Sequence, residues 1–391
     1  MIQIQFLDRN VMKALVPVFS QRPNQVVFIY DDSINPKKSC NNFKKAIQSR
    51  HRNIEVEFVL VDKHNYQDIC YNLRQIIEKT NDKIEIVING GTELMSAAGL
   101  RIGSEYNIPV VYVSTSNGYI FNVLTDEKIG EVVNIGVDDY LTATGAKHPS
   151  RSHFMPRTEE FEAICRVAEY IFDHIDDWHL LQTFLSIRLA METDSTTFAI
   201  GRKQITQKMR NILGVTGSVD ELVQRLRETI DIFEKEGFVK TMGAFSYTIT
   251  KPKYKEYLTV FGIWLEMYVY INALNCFDEV HLGYVIDWDN SDQNDTTDNE
   301  IDVVAIKNSV PYFISCKMRK PEAKDVYEIA CLAERVGGGA AKAVVATTFP
   351  VDKTKDSDKG IYQRMKKMKV GSIEAGKIRD CKLNKYIDAQ F

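Results

Sequence analysis

The first 113 residues alternate between short β-branched runs and amphipathic helical segments, and this alternation restricts the chain to a small set of folds. Parallel strands joined by helices form a sheet that is covered on both faces. The predicted strands are Ile2–Leu7, Val26–Tyr30, Glu55–Leu60, Ile84–Ile88 and Val110–Val113, and the predicted helices are Val11–Phe19, Asn41–Gln48, Tyr66–Lys79 and Thr92–Ile102. The pattern therefore predicts a doubly wound, Rossmann-like α/β domain.

Ligands of doubly wound domains bind beyond the carboxyl ends of the strands, and three polar loops occupy such positions. Asp8-Arg9-Asn10 follows the first strand, Asn89-Gly90-Gly91-Thr92 follows the fourth, and Ser114–Gly118 follows the fifth. Paired glycines let a ligand approach the backbone, and the free N–H groups of a helix start favour a phosphate. A tight turn that binds no ligand is the alternative interpretation of the glycine loop.

Length and composition bound the rest of the chain. A chain of 391 residues exceeds one ordinary domain, and we predict three domains with boundaries at 1–150, 151–257 and 258–391. No apolar run reaches the roughly 18 residues of a membrane span, and the N-terminus has no basic signal region. Seven cysteines without a CxxC pair suit reduced thiols, so we expect a cytoplasmic protein without a membrane partner. The net charge of −4 argues against a protein with an extensive basic surface that binds duplex DNA.

The middle third turns helical after the polar residues 148–153. Helical segments at 205–213 and 219–234 precede two short strands within 237–250, which is the element order of a winged helix. Such a module either binds duplex DNA through its recognition helix or serves as a spacer or dimer-packing element. The basic residues of this region favour the first interpretation, and its many acidic residues favour the second.

Two apolar runs in the last third, 299–306 and 311–317, flank a short polar break and predict a β-hairpin. The first run carries Asp302 and the second ends on Lys317, with Glu300 on the same face as Asp302. A charge in such a strand must be paired or bound to a metal. The alternative is that Asp302 and Lys317 form a purely structural ion pair at the end of a sheet.

Glu266 is the only charged residue in a predicted helix over Tyr257–Phe277, where a carboxylate loses hydration unless it meets a cation. A strand, an acidic loop of five aspartates (287, 289, 292, 295 and 298), the hairpin, a helix over Glu322–Val336 and a strand over Ala343–Ala346 follow. The aspartate spacing does not match an EF-hand, so we interpret this loop as solvated. Helix, three strands, helix and strand is the core order of restriction-type nucleases. Basic residues at 317–320 and 364–369 could contact the phosphates of a nucleic-acid substrate, although such runs are more often solvated surfaces.

These motifs resemble a known family. The N-G-G-T-x-x-M loop resembles a CARF domain, and Glu266, Asp302 and Lys317 resemble the PD-(D/E)xK nuclease pattern. With the winged-helix-like linker, the whole chain resembles the CRISPR-ancillary CARF-domain nucleases. The resemblance implies a homodimer that a cyclic oligoadenylate, cyclic tetra-adenylate in particular, activates to cut single-stranded DNA or RNA with Mn²⁺ or Mg²⁺.

The resemblance also implies roles for individual residues. The implied catalytic residues are Glu266, Asp302, Ser315 and Lys317, and the implied metal ligands are Glu266, Asp302 and the backbone carbonyl of Cys316. The implied activator-binding residues are Asp8, Arg9, Asn10, Asn89, Gly90, Gly91, Thr92, Met95, Ser114 and Ser116.

Ser315 departs from the family pattern, which places Glu or Asp two residues before the lysine. A neutral hydroxyl is a weaker metal ligand, and Glu300 or Glu328 are the candidates to supply the missing charge. An inactive nuclease retained as a sensor and a ligand-gated transcription regulator are the alternatives. Slow degradation of the activator by the first domain is a third, for which the sequence offers no acid–base pair.

Overall fold

The computed structural model describes residues 1–34, 36–147, 160–190, 196–260, 262–288, 299–349, 351–352, 354–378 and 383–391. The predicted link at 148–153 and the aspartates at 289, 292, 295 and 298 lie outside the described residues. Within them, strands form three sheets of seven, three and five strands. None of the described helices has the length and hydrophobicity needed to cross a membrane.

The N-terminal sheet has the order β3-β2-β1-β4-β5-β6-β7, and its first five strands are parallel. Its elements are β1 (Ile2–Phe6), α1 (Val11–Gln21), β2 (Gln25–Tyr30), α2 (Asn41–Arg50), β3 (Glu55–Leu60), α3 (Tyr66–Glu78), β4 (Ile84–Val87), α4 (Glu93–Tyr106), β5 (Val110–Ser114), β6 (Tyr119–Asn122), β7 (Glu127–Glu131) and α5 (Val137–Thr144). The predicted doubly wound fold is confirmed, and every predicted strand and helix is present.

The antiparallel pair β6–β7 and the helix α5 were not predicted. The sequence of β7, Glu-Lys-Ile-Gly-Glu, is polar and mostly exposed, so it lacks the apolar pattern that identifies a strand. Two of the eight residues of α5 are threonines, which are weak helix formers. Tertiary contacts stabilise α5 instead, because Val137, Tyr140 and Leu141 are buried between the first and third sheets.

The middle region contains α6 (Phe161–Asp173), α7 (Ile175–Ala190), β8 (Thr197–Ala199), α8 (Gln207–Leu213), α9 (Val219–Lys235), β9 (Val239–Thr241) and β10 (Ser246–Ile249). Its antiparallel sheet has the order β8-β10-β9 and packs with the helices, as in a winged helix. The predicted helices and both predicted strands are present, and β8 adds a third strand.

The C-terminal region contains α10 (Tyr254–Thr259), α11 (Ile263–Leu274), β11 (Glu279–Ile286), β12 (Asn299–Lys307), β13 (Val310–Lys317), α12 (Ala323–Gly337), β14 (Lys342–Thr347), α13 (Asp356–Lys367), β15 (Val370–Glu374), α14 (Ala375–Ile378) and α15 (Leu383–Asp388). Its sheet has the order β11-β12-β13-β14-β15, antiparallel up to β13 and parallel beyond it.

Two details of the C-terminal prediction were wrong. The single helix predicted over Tyr257–Phe277 is two helices, α10 and α11, because Gly262 between them has φ 111°, outside the helical region. The hairpin break is shorter than predicted. Asn308 and Ser309 alone form the turn, with φ values of 49° and 66°, the positive values that two-residue hairpin turns require. The domain boundaries at 150 and 257 stay a prediction.

The C-terminal sheet has an apolar layer on each face, and each layer continues into a different part of the chain. Val303, Ala305 and Ile314 pack in one cluster with α6, α7, α9 and α11. Val304, Ile306 and Phe313 pack in a second cluster with α1, α2, α5 and α12. Because strand residues alternate between faces, the hairpin β12–β13 lies between the middle region on one side and the N-terminal domain on the other.

Ser309, at the hairpin turn, is bonded to the N-terminal domain through three polar contacts. The Tyr140 hydroxyl donates to the Ser309 carbonyl at 2.5 Å, and the backbone N–H of Ile135 donates to the Ser309 hydroxyl at 3.1 Å. The same hydroxyl donates to the Asn134 side chain at 3.0 Å. Ser309 is completely buried, so each of these bonds satisfies a group that water cannot reach.

We therefore predict that Tyr140→Phe destabilises the protein by about 1–3 kcal/mol, because it leaves the Ser309 carbonyl buried without this donor. Thermal or urea unfolding measures the effect. Tyr71→Phe is the matched control, since Tyr71 is 60% exposed and its loss should change stability little. Equal stability of the two variants would show that this bond does not hold the hairpin to the N-terminal domain.

Candidate active site

Asp302 lies where the open end of the hairpin brings β12 beside the end of β13. The antiparallel register pairs Val303 with Ile314, which brings Asp302 to Ser315 and Lys317. The Ser315 hydroxyl donates to Asp302 Oδ2 at 3.3 Å, and the backbone N–H of Cys316 donates to the same oxygen at 2.5 Å. Lys317 Nζ lies 3.7 Å from that oxygen. The structure thus brings three predicted catalytic residues together.

Burial dominates the electrostatics of Asp302. Loss of hydration raises the pKa of Asp302, although Lys317 and the hydrogen bonds from Cys316 and Ser315 act to lower it. A single lysine therefore does not fully offset the cost of this carboxylate. A partly buried carboxylate whose charge is not fully offset is typical of sites that bind a cation or perform chemistry.

Glu266 approaches the same site from the first turn of α11. Its neighbours along the helix, Leu265 and Met267, are fully buried, and Glu266 itself is partly buried. Burial first, and then the charges of Asp302 and Glu300, raise the pKa of Glu266 to about 8, while Lys317 acts to lower it. Because the charges of Asp302 and Lys317 both act on Glu266, Glu266 belongs to this cluster.

The predicted metal ligands stay a prediction. The described residues contain no group of three or more His, Cys, Asp or Glu side chains arranged to hold a metal. The predicted metal ligands include only two carboxylates, Glu266 and Asp302. The third predicted ligand is the backbone carbonyl of Cys316. Two acids were predicted to supply the negative charge that Ser315 lacks. Glu300 is exposed on β12, and its charge raises the pKa of Glu266. Glu328 is exposed on α12.

The basic run after Lys317 is largely neutralised. Both terminal nitrogens of Arg319 bind Asp325, at 2.8 and 2.9 Å, and Lys320 pairs with the buried Asp358. These charges anchor the start of α12 to α13 and are not free for a substrate phosphate. In the second predicted basic group, Arg364 Nε donates to the exposed Tyr327 hydroxyl at 3.0 Å, whereas Lys366, Lys367 and Lys369 are exposed.

The predicted activator loops meet at one edge of the N-terminal sheet. β1 and β4 are adjacent, and the chain continues to opposite sides of the sheet from them, so the loops after these strands flank the topological switch point. Asn10 and Thr92 cap the helices that follow, accepting from backbone N–H groups of α1 and α4. Asp8 accepts from the Asn10 N–H at 2.6 Å and from Lys13 at 3.2 Å.

Several of these loop residues have structural contacts of their own. The Asn89 side chain donates to the Val113 carbonyl at 2.7 Å and accepts from its N–H at 2.8 Å, so it ties β4 to β5. A Cβ at Gly90 would lie 2.1 Å from the Phe6 carbonyl oxygen, and Gly91 has φ 77°. Met95 is completely buried beneath the loop. Its side chain therefore supports the loop from below and offers no surface to a ligand.

A small cavity of about 110 Å³ adjoins this edge. Asn89, Ser114 and Ser116 line it together with Lys13, which the sequence analysis missed. The two serine hydroxyls lie 3.5 Å apart. The position of Lys13, one turn into the helix that Asn10 caps, is the signal that identifies it, because that spacing returns its side chain to the loop after β1.

Comparisons with known proteins agree with this architecture. A family model of the Card1 CARF domain matches residues 9–140, and a family model described as the Card1-like endonuclease domain matches residues 254–388. Protein VC1899 from Vibrio cholerae is 14% identical with a TM-score of 0.75, over 99% of this chain and 97% of that chain. Can2 from Sulfobacillus thermosulfidooxidans, solved in complex with cyclic tetra-adenylate, is 19% identical with a TM-score of 0.69, over 99% and 97%. No curated protein sequence matches.

The raised pKa of Glu266 predicts how the stability of the metal-free protein changes with pH. Between its ordinary pKa, about 4.3 in an unfolded chain, and about 8, the folded protein holds a proton that the unfolded chain lacks. Stability therefore falls as pH rises through this window, by up to about 1.4 kcal/mol per pH unit. Glu266→Gln cannot titrate, so its stability relative to wild type should increase from pH 5.5 to 7.5.

Unfolding of both proteins in a chelator at several pH values measures this difference. Glu162→Gln, at a side chain that is 87% exposed, is the control and should follow wild type at every pH. A constant difference between Glu266→Gln and wild type across the window would contradict the assignment.

Proposed function

Because the chain belongs to the CARF-domain nucleases, with a Card1 CARF domain joined to a Card1-like endonuclease domain, we propose that a cyclic oligoadenylate activates it to cut nucleic acid. We further propose that the activator is cyclic tetra-adenylate, the substrate is single-stranded DNA or RNA, and the active form is a homodimer. One observation carries the proposal, the convergence of Glu266, Asp302 and Lys317 within the endonuclease domain.

The donor set fits Mg²⁺ or Mn²⁺. Glu266 and Asp302 both have raised pKa values, so two carboxylates share a partly buried site with one lysine. Hard divalent cations prefer oxygen ligands, and such a cation would offset this excess of negative charge. Glu266, Asp302 and the Cys316 carbonyl would hold the metal, which supplies polarisation of the phosphate and a more acidic water.

The protein's own residues have distinct tasks in phosphodiester hydrolysis. The Cys316 N–H and the Ser315 hydroxyl fix the orientation of the Asp302 carboxylate, leaving its second oxygen for the metal. Lys317 places a positive charge beside the same carboxylate. There it can orient the attacking water and stabilise the charge that grows on the phosphate oxygens.

The activator proposal rests on the loops after β1 and β4. Arg9 is exposed beside Asp8, and the backbone at Gly90 packs closely against the Phe6 carbonyl at the end of β1, so the two loops are adjacent. Can2, which shares the fold over almost its whole length, was solved in complex with cyclic tetra-adenylate. By that likeness we assign the ligand to Asp8, Arg9, Asn10, Gly90, Gly91, Thr92, Ser114 and Ser116, with Asn89 and Met95 as supports.

The transcription-regulator alternative loses support in the middle region. A groove of about 950 Å³ between α9 and the β9–β10 hairpin has four acidic side chains and three basic ones, Asp220, Glu228, Asp231 and Glu234 against Arg202, Lys203 and Arg227. Arg202 is already paired with Asp220. A recognition helix with this charge repels a DNA backbone, so we interpret the region as a spacer between the two other domains.

A cleavage assay tests the proposal. Single-stranded DNA and RNA are incubated with Mn²⁺ or Mg²⁺, with and without cyclic tetra-adenylate. We expect activator-dependent cutting that Asp302→Ala and Lys317→Ala each reduce at least about 100-fold, the loss expected when a group acting on the transition state is removed. Asp356→Ala and Lys359→Ala, which break an exposed pair in the same domain, are the controls and should cut as wild type does. Full activity in Asp302→Ala would refute the assigned site.

Ser315→Glu tests whether this position limits metal binding. A third carboxylate next to Asp302 should tighten Mn²⁺ binding about tenfold and, by like-charge repulsion, lower the stability of the metal-free protein. Calorimetric titration with Mn²⁺ and thermal unfolding in a chelator measure the two effects. The tighter binding should disappear in the double variant Asp302→Asn/Ser315→Glu, and unchanged affinity in the single variant would show that Ser315 lies outside the metal shell.

A further inference from the structure

A cavity of about 280 Å³ lies between the N-terminal domain and the C-terminal helix α12. Asp8 and Arg9 line it from the loop after β1, Ser33 and Lys38 from the segment between β2 and α2, and Arg335 from α12. The cavity therefore opens at the proposed activator edge and reaches a residue of the endonuclease domain. Lys38 and Arg335 belong to none of the motifs recognised in the sequence.

The charges around this cavity favour an anion. Arg9, Lys38 and Arg335 contribute three positive charges, and Asp8 is the one acid among the residues that line the cavity. Asp8 already accepts from Lys13 at 3.2 Å and from the Asn10 N–H at 2.6 Å. The Arg9 guanidinium donates to the Ser33 carbonyl at 3.1 Å, which holds it beside the cavity. An excess of cations in a confined space selects phosphate, which arginine binds through two parallel hydrogen bonds.

The size of the cavity indicates how much of a ligand it admits. A volume of about 280 Å³ is at the lower limit of small-molecule pockets, so it admits one phosphate with part of a sugar and excludes a whole cyclic oligonucleotide. Because Asp8 and Arg9 belong to both the cavity and the activator edge, a ring lying on that edge can place one phosphodiester in the cavity.

Arg335 also connects the cavity to the strand that carries Asp302. Its guanidinium carbon lies 3.6 Å from the ring centre of Trp288, which is only 7% exposed. The Trp288 indole N–H donates to the Asn299 side chain at 2.7 Å, and Asn299 is the first residue of β12. Asp302 follows three residues later. A change at Arg335 therefore reaches the catalytic strand through one ring contact and one hydrogen bond.

We propose that Arg335 binds a phosphodiester of the cyclic oligoadenylate and, through Trp288 and Asn299, couples activator binding to the position of Asp302. The inference rests on the proposed function and extends the activator site into the endonuclease domain. A ligand shifts a conformational equilibrium only by binding one state more tightly, and a contact made by the endonuclease domain provides such a difference.

The test is binding of cyclic tetra-adenylate to the full-length chain by calorimetry and by intrinsic tryptophan fluorescence. Arg335→Ala should weaken binding about tenfold or more, the loss of one charge-assisted hydrogen-bond pair, and Arg335→Lys should lose less. Arg227→Ala is the matched control, because Arg227 also packs over an aromatic ring, that of Phe245, but lies in the middle region. It should bind the activator as wild type does.

Fluorescence reports the coupling separately from affinity. The chain has three tryptophans, at positions 178, 264 and 288, and only Trp288 contacts Arg335. We expect activator binding to change the emission of wild type, and Trp288→Phe or Arg335→Ala at saturating ligand to remove most of that change. Inorganic phosphate replaces the activator in a parallel titration, and it should bind at least about tenfold more weakly.

The outcomes separate the inference from the function beneath it. If wild type does not bind cyclic tetra-adenylate, the proposed activator is wrong. If wild type binds and Arg335→Ala binds equally tightly with the same emission change, the role of Arg335 is overturned. If Arg335→Ala does not fold, Arg335→Lys decides, because weaker binding by that variant supports the contact and unchanged binding contradicts it. Equal affinity for inorganic phosphate and the activator shows an adventitious anion site and also overturns the inference.

Discussion

The burial of the Asp302 carboxylate is the constraint on which the active site depends. One backbone N–H, one serine hydroxyl and one lysine face it, yet burial still raises its pKa. Glu266, whose pKa rises to about 8, adds a second acid to the same surroundings. Apolar residues in place of such a cluster often leave the stability of a protein unchanged or increase it. Stability alone therefore does not explain two acids in these surroundings. The divalent cation that we propose for this site would offset the negative charge of the two carboxylates.

The hairpin that carries Asp302 is held at both ends by other parts of the chain. At the closed end, the buried Ser309 is bonded to the N-terminal domain through Tyr140, Ile135 and Asn134. Next to the open end, Lys147 and Asp287 exchange two backbone hydrogen bonds of 2.9 Å, so the residues after α5 pair with those after β11, the strand beside β12. The sheet that contains the Asp302 strand is therefore tied to the N-terminal domain at two points. Packed interiors deform little, and such a strand follows its supports.

The sequence predicted elements well where local pattern determines structure, and poorly where distant contacts do. The strands β1 to β5 and the hairpin residues 299–317 were predicted to within one or two residues, because their β-branched and alternating apolar residues form a clear local pattern. α5 escaped prediction because Tyr140 and Ser309, 169 positions apart, stabilise it. Arg319 and Lys320 looked available to a substrate, since Asp325 and Asp358, which neutralise them, belong to later helices. In the same way, the burial of Met95 depends on how α4 packs on the sheet.

These contacts bear on how a signal could cross from one domain to another. The apolar cluster shared by α5, α12 and the hairpin joins the N-terminal and C-terminal sheets, and a packed cluster of this kind resists deformation. A ligand at the edge after β1 cannot act by loosening that cluster without losing stability. It can act by changing a polar contact at the margin, where rearrangement costs little. The Arg335–Trp288 stack is such a contact, since the guanidinium is exposed while the indole is buried and bonded to β12. Coupling of activator binding to Asp302 through Arg335, at the edge of the apolar cluster, therefore leaves the core packing unchanged and still affects β12.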